Sequence, residues 1–234
     1  MNAQLALNLQ LKDSSSFGNF LPARNREAMD RLRAAVEAAG RDAAGGERMF
    51  FLWGEPGTGK SHLLQAACRQ AQENGIAPVY IPLANSAEFS TAILEGVEHV
   101  PLVCLDDVDR IAGDIVWEPA VFSLCERQRE ARGTVIAAGA ANPKHLGLRM
   151  PELATRLGWG PVYQLHALND TEKLEAIRLR ARNRGLEITE EVSRYILGRY
   201  PRDLRSLFDL LERIDRVSLA SQRRITIPFI RSLG

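Results

Sequence analysis

Gly54-Glu55-Pro56-Gly57-Thr58-Gly59-Lys60-Ser61 satisfies the pattern GxxxxGK[ST] in full. It lies directly after the apolar run Met49 to Trp53 and directly before a helical run that begins at Lys60. Strand, glycine-rich turn and helix form the context in which this spacing has a mechanism. Gly57 and Gly59 let the backbone turn inward, so that its N–H groups and the positive end of the following helix cradle phosphate oxygens. Lys60 supplies a point charge to the β- and γ-phosphates. Ser61 offers a hydroxyl to Mg²⁺, a hard cation that favours oxygen. All eight positions, Gly54 through Ser61, are candidate cofactor-binding residues.

Outward from this loop the pattern alternates. Strand-like runs at Pro78 to Leu83, Leu102 to Leu105, Thr134 to Ala138 and Val162 to Leu165 are separated by helical runs near Ala87 to Leu94 and around Glu118 to Ala131. Upstream, Arg24 to Ala39 has helical periodicity, and Gly40 to Glu47 separates it from the first strand. Strands alternating with helices predict an α/β base with a parallel sheet covered by helices on both faces. After Leu168 the character changes: Thr171 to Arg184, Thr189 to Leu197 and Arg202 to Leu219 read as amphipathic helices, with Asn169, Asp170 or Thr171 as N-cap and Gly185 as a stop. The expected organisation is a short tail at residues 1–12, a nucleotide-binding base at 13–167 and an all-helical lid at 168–234. The 234 residues suit one large domain, or a medium domain with a small companion.

Leu102-Val103-Cys104-Leu105-Asp106-Asp107 is a second element of the site, an apolar strand ending in two carboxylates in the manner of a Walker B segment. Asp106 would hold Mg²⁺, and Asp107 would act as the catalytic carboxylate that polarises an attacking water. Two acids ending a buried strand can also simply begin a turn. Side by side they repel, and a divalent cation offsets that repulsion.

Composition excludes other classes. Hydrophobic residues make up 45% and charged residues 25%, enough for a real core and against intrinsic disorder. Thirty Lys plus Arg against 29 Asp plus Glu leave a net charge of +1, which gives no global electrostatic case for nucleic acid or an anionic membrane. The lid carries 14 basic and 10 acidic side chains, a mild excess typical of a solvated helix surface. No apolar run approaches the roughly 18 residues that span a bilayer, and Met1 to Leu11 do not read as a secretory signal, so the expected compartment is the cytoplasm. Cys68, Cys104 and Cys125 are few and widely spaced, as are the four histidines, which suits reduced core thiols and neither a disulfide framework nor a zinc site.

A P-loop, a Walker B strand and a helical C-terminal lid together resemble an AAA+ module. Ser16-Phe17-Gly18-Asn19-Phe20 with Arg24-Asn25-Arg26-Glu27-Ala28 is similar to the opening segment of the DnaA-like initiator family, in which that segment forms part of the adenine pocket. The resemblance implies that Phe17 and Phe20 contact the base. It runs from about Phe17 to the end of the chain. Four further stretches resemble the branch of this family that inactivates the initiator: 111–114 (IAGD), 151–160 (PELATRLGWG), 179–182 (LRAR) and 220–229 (ASQRRITIPF).

The resemblance also assigns arginines. Arg156, in Leu153-Ala154-Thr155-Arg156-Leu157, falls where the family carries an arginine finger offered in trans to a neighbour's nucleotide. On sequence chemistry alone, a surface ion pair with Glu152 four residues earlier is the favoured reading of Arg156, and the resemblance reverses it. Arg202 aligns with the sensor 2 arginine, with Arg205 as runner-up. The sensor 1 position departs from the family: the strand through Ala138 runs into Gly139, Ala140 and Ala141, with Asn142 next, so hydrolysis by the chain itself is expected to be weak or nil.

At the N-terminus, Leu5, Leu7 and Leu9 follow Gln4 at period two. Such leucines need an apolar cleft, in a partner or as an edge strand on their own domain. The form resembles the peptide by which this branch binds the β-subunit sliding clamp of DNA polymerase. The resemblance thus implies an ADP- or ATP-bound, Mg²⁺-dependent adaptor between DnaA and the clamp, acting as a homo-oligomer. The chain ends soon after Ile225 to Leu233 with no helix-turn-helix region, so DNA would be reached only through the clamp. A self-acting AAA+ ATPase that loads or remodels a replication protein is the alternative.

Overall fold

The computed structural model describes residues 15–40, 46–221 and 225–232. Five parallel strands, β1 (Met49–Trp53), β2 (Pro78–Pro82), β3 (Leu102–Asp106), β4 (Thr134–Gly139) and β5 (Val162–Gln164), lie in the order β2-β3-β4-β1-β5. The register pairs Phe50 with Ile136, Val103 with Val135, and Phe51 with Val162. Every residue of β3 and β4 is buried. Strands with both faces covered are continuous apolar runs, and LVCL and TVIAAG are such runs.

The covering helices of this unit are α1 (Arg26–Ala38), α2 (Lys60–Glu73), α3 (Trp117–Glu130) and α4 (Pro151–Leu157). One cluster of its core joins Phe51, Leu105 and Ala137 of the sheet to Val121, Leu124, Leu153 and Leu157 of α3 and α4. Cys68, Cys104 and Cys125 are unpaired and buried, and burial raises the Cys125 thiol to about 12.

One local expectation fails and one element is not anticipated. The helical run near Ala87 to Leu94 is instead two short 3₁₀ segments, Leu83–Glu88 and Thr91–Leu94, separated by Phe89 and Ser90 in extended conformation. Leu83, Phe89, Ile93 and Leu94 all reach the core, and spacings of six, four and one do not form a helical stripe. The seven-residue α4 is the opposite case, a helix the strand-and-helix alternation does not reveal. It is too short to show a period.

A second unit contains the described residues among 18–23 and 167–234, while the sheet unit comprises the described residues among 1–17 and 24–166. The base expected at 13–167 is therefore not continuous, because 18–23 cluster with the C-terminal helices. Asn183 explains this locally: its amide nitrogen donates to Gly18 O at 2.9 Å and to Asn19 Oδ1 at 2.7 Å. The second unit is built from α5 (Asp170–Asn183), α6 (Glu190–Arg199), α7 (Leu204–Ser221) and the short α8 (Ile227–Arg231). Asn169 caps α5 in a reciprocal box with Glu172, and Thr189 caps α6. Ile177, Ile196, Leu207, Leu211, Ile214 and Ile230 form a separate core.

Gly160 precedes β5 where the chain passes β1. A Cβ there would lie 1.9 Å from the carbonyl oxygen of Met49, a backbone atom that cannot swing aside. We expect Gly160→Ala to lower unfolding free energy by about 2 kcal/mol, as overpacking does, measured as a reduced urea midpoint with an unchanged slope.

Candidate functional site

In a parallel sheet all C-terminal strand ends share one edge, where α/β folds gather their ligands. Here β1 delivers the glycine-rich loop, β3 delivers Asp106 and β4 delivers the turn at Gly139. Gly54 has φ +152°, and a Cβ on it would lie 2.5 Å from Leu165 O. Only glycine fits that approach. Gly59, at φ +99°, turns the chain into α2. Thr58 is buried and donates its hydroxyl to Glu55 O at 2.9 Å. Glu55, Pro56 and Gly57 form the exposed crest, and Ser61 is exposed on the first turn of α2. Lys60 Nζ donates to Gly54 O at 2.6 Å and to Glu55 O at 3.1 Å. Burial lowers the Lys60 pKa, against the opposing pull of Asp106, Asp107 and Asp109.

Asp106 is 1% exposed. Its Oδ2 accepts from the Tyr80 hydroxyl at 2.6 Å and its Oδ1 from the Asp107 N–H at 3.0 Å. Burial and the adjacent Asp106 push the Tyr80 pKa far upward, so the phenol remains a donor. Gln65 on α2 donates to the Tyr80 oxygen at 3.4 Å, and Ser15 donates to Gln65 at 2.9 Å. A chain of polar contacts thus joins the segment before α1 to the carboxylate. Asp107 stands at φ 56°, ψ 48°, and burial, then Asp106 and Asp109, raise its pKa. The lysine, hydroxyl, carboxylates and turned backbone form an oxygen-rich donor set suited to a hard cation and phosphate.

At the expected sensor 1 position, Ala140 contributes only its backbone: its N–H donates to Asp109 Oδ1 at 2.8 Å. Asn142 does not take its place, because its Oδ1 accepts from Lys144 N at 3.2 Å and caps the turn at Pro143–His145.

Arg156 lies on the last turn of α4. Its carboxylate partner is Glu126 of α3, not Glu152, which is exposed. The α3–α4 packing brings Glu126 across, while Glu152 faces solvent. The Arg156 side chain is only 13% exposed, with its guanidinium carbon 3.5 Å from the centroid of the Trp159 ring. Arg129 approaches the same ring at 5.3 Å and pairs with Glu126 at 3.2 Å. Nε and Nη1 of Arg156 have no hydrogen-bond partner among the described residues.

In the other unit Arg202 donates to Asp170 Oδ2 at 2.9 Å and is exposed, as is Arg205. Phe17 belongs to the sheet unit, buried beneath Arg33 at 5.6 Å from its ring centroid, whereas Phe20 belongs to the unit of α5–α8. Gln4, Leu5, Leu7 and Leu9 lie outside the described residues.

Residues 170–233 match the family model of the Hda lid domain. The chain is Hda-like in its lid. Its fold is that of DnaA-type AAA+ modules. Domain III of the initiation protein DnaA from Thermotoga maritima shares 20% identity over 93% of this chain and 94% of its own, with a TM-score of 0.73. AMPPCP-bound DnaA from Aquifex aeolicus shares 24% identity over 88% of this chain, with a TM-score of 0.70. The chain spans 66% of that DnaA, slightly less than two thirds of its length. The RuvB Holliday junction branch migration motor of Thermotoga maritima is also similar, at 19% identity over 93% of this chain and 70% of its own, with a TM-score of 0.64. Among the described residues no helix is long and apolar enough to cross a membrane.

The Hda-like lid holds one residue that its sequence pattern hides. Arg180 is buried, with its guanidinium carbon 3.8 Å from the Phe208 ring centroid, and burial lowers its pKa to about 10. In the sheet unit, Tyr80, Gln65, Asp109 and Glu126 are the missed participants. Removing the Tyr80 hydroxyl deprives a buried carboxylate of a donor. Tyr80→Phe should therefore cost about 1–2 kcal/mol of stability, read by urea unfolding of the protein free of nucleotide.

Proposed function

We propose that this protein is a nucleotide-bound adaptor that links the initiator DnaA to the DNA-loaded β sliding clamp and stimulates hydrolysis of DnaA-bound ATP, so preventing re-initiation of replication. The observation that carries this reading is the Hda lid-domain match over residues 170–233, on a chain with a DnaA-type fold whose Arg156 lies on the last turn of a short helix.

In its own site the chain holds ADP or ATP. The backbone N–H groups of the Gly54 to Ser61 loop, Pro56 excepted, would donate to the phosphates, Lys60 would balance their charge, and Phe17 and Phe20 are the residues that the resemblance assigns to the base. Ser61 and Asp106 hold Mg²⁺, which when bound neutralises phosphate charge. Arg202 is the sensor 2 arginine that the family resemblance implies. Asp107, whose proton affinity burial has raised, is the base available for a water. With only a backbone N–H at Ala140, the chain's own turnover is weak or nil.

Arg156 acts in trans. Its guanidinium enters the DnaA site and balances charge developing on the γ-phosphate, while the chemistry remains DnaA's own. The tail, through Gln4, Leu5, Leu7 and Leu9, docks on the clamp, so contact with DNA is indirect and cytoplasmic. Two or more copies act together as a homo-oligomer.

Removing the finger should be decisive. With DnaA and clamp-loaded DNA, Arg156→Ala should lower stimulated ATP turnover by about 100-fold or more, while its own nucleotide affinity is retained; undiminished stimulation sinks the finger role. Robust steady-state turnover by the wild-type protein alone would instead favour a self-acting ATPase that loads or remodels a replication protein, a reading the complete P-loop supports. Deleting residues 4–9 should abolish co-elution with the clamp and leave nucleotide binding intact.

A further inference from the structure

Glu118, on the first turn of α3, is 2% exposed. Its carboxylate accepts three backbone N–H bonds. Oε1 takes Gly113 at 2.6 Å and Arg149 at 3.0 Å, and Oε2 takes Met150 at 2.7 Å. A buried carboxylate is costly unless hydrogen bonds to its charged form offset the lost hydration. Three N–H dipoles do this here, and the consequence is a mechanical one. Two loops far apart in sequence, one containing Gly113 just before α3 and one ending at Met150, are tied to a single side chain.

The second loop matters most. Met150 is the N-cap of α4, and its carbonyl accepts the first helical bonds, from Leu153 at 3.1 Å and Ala154 at 3.4 Å. A helix of seven residues does not hold itself in water and must be fixed from outside. Glu118 fixes its origin. Eight residues further along α3, Glu126 holds the guanidinium of Arg156 near its end. α3 therefore grips the helix at both ends through two carboxylates, one on backbone and one on the functional side chain.

The geometry points to Glu118 as the positioning residue that sets where Arg156 is presented, an inference that rests on the trans role of Arg156 proposed above. Glu118 touches no phosphate. It acts through the start of α4, and a rigid start keeps Arg156 within the small tolerance that charge stabilisation of a transferring phosphoryl group requires. The same carboxylate holds the turn at Gly113, beside which Ile115 and Val116 are 74% and 58% exposed, in a fixed relation to α4.

Glu118→Gln is the test, because it keeps the volume but sets an amide N–H₂ against a backbone N–H. Two readouts are needed. In hydrogen exchange, the amides of Arg149, Met150 and Leu153 to Leu157 should exchange at least tenfold faster in the variant, while those of β3 and β4 stay protected. In the DnaA assay with clamp-loaded DNA, the maximal stimulated rate should fall about tenfold, with the half-saturating protein concentration unchanged. The double variant with Arg156→Ala should be no worse than Arg156→Ala alone.

Unchanged exchange in α4 overturns the tether. So does an unaltered maximal rate, or a loss that multiplies with that of Arg156→Ala. If Glu118→Gln loses protection throughout β3 and β4, Glu118→Asp, which shortens the reach by one methylene, replaces it; the same selective loss in α4 supports the proposal and full protection overturns it. Should the wild-type protein fail to stimulate DnaA at all, the functional reading fails by itself. The tether is then still decided by exchange, which needs no DnaA.

Discussion

Asp106 is a charge placed at the end of a strand that is otherwise entirely apolar and entirely buried, and much of the base is arranged to tolerate it. Desolvating a carboxylate without partners is prohibitive. The sheet solves this by placing Tyr80 one strand away, burying its phenol so that it stays protonated, and bracing it through Gln65 against α2 and Ser15. The next residue, Asp107, adopts the left-handed conformation that returns its N–H to the same carboxylate. Strand order, helix placement and the path of the chain before α1 are thus coupled to one buried anion beside Lys60.

The same logic recurs at α3. Glu118 and Glu126 both pair across to α4, one through backbone N–H groups and one through a guanidinium. The two sites differ in what they leave over. Asp106 is closely satisfied by donors, whereas Arg156 keeps Nε and Nη1 without hydrogen-bond partners among the described residues. The Arg156 guanidinium rests on the Glu126 carboxylate and on the rings of Trp159 and Phe122.

What was legible in the sequence follows from how local the cause is. The P-loop is written in contiguous residues whose geometry depends on nearest neighbours, and β3 and β4 announce themselves because burial on both faces demands unbroken apolar runs. Asn169 likewise acts on backbone three residues away. Tyr80, Glu118 and Glu126 were not legible, because each acts on residues 26 to 32 positions distant that only the tertiary fold brings near. The pairing of Arg156 with Glu126 in place of Glu152 is the same failure in miniature: the i,i+4 rule describes an isolated helix, and a seven-residue helix packed on a neighbour is not isolated. The stretch from Ala87 to Leu94 reads as helical for the converse reason, since a loop that must place Phe89, Ile93 and Leu94 in the core looks helical by composition.

The division of the chain carries an evolutionary consequence. Residues 18–23 group with the C-terminal helices although nearly 150 residues separate them from Ala167, and Asn183 is what holds them there. The lid is therefore not a cassette that recombination can exchange at a single crossover near residue 167. A chimaera that imports a foreign C-terminal unit also inherits a mismatched piece at its N-terminal side, so Gly18 to Ala23 and the face of α5 around Asn183 must change together or not at all.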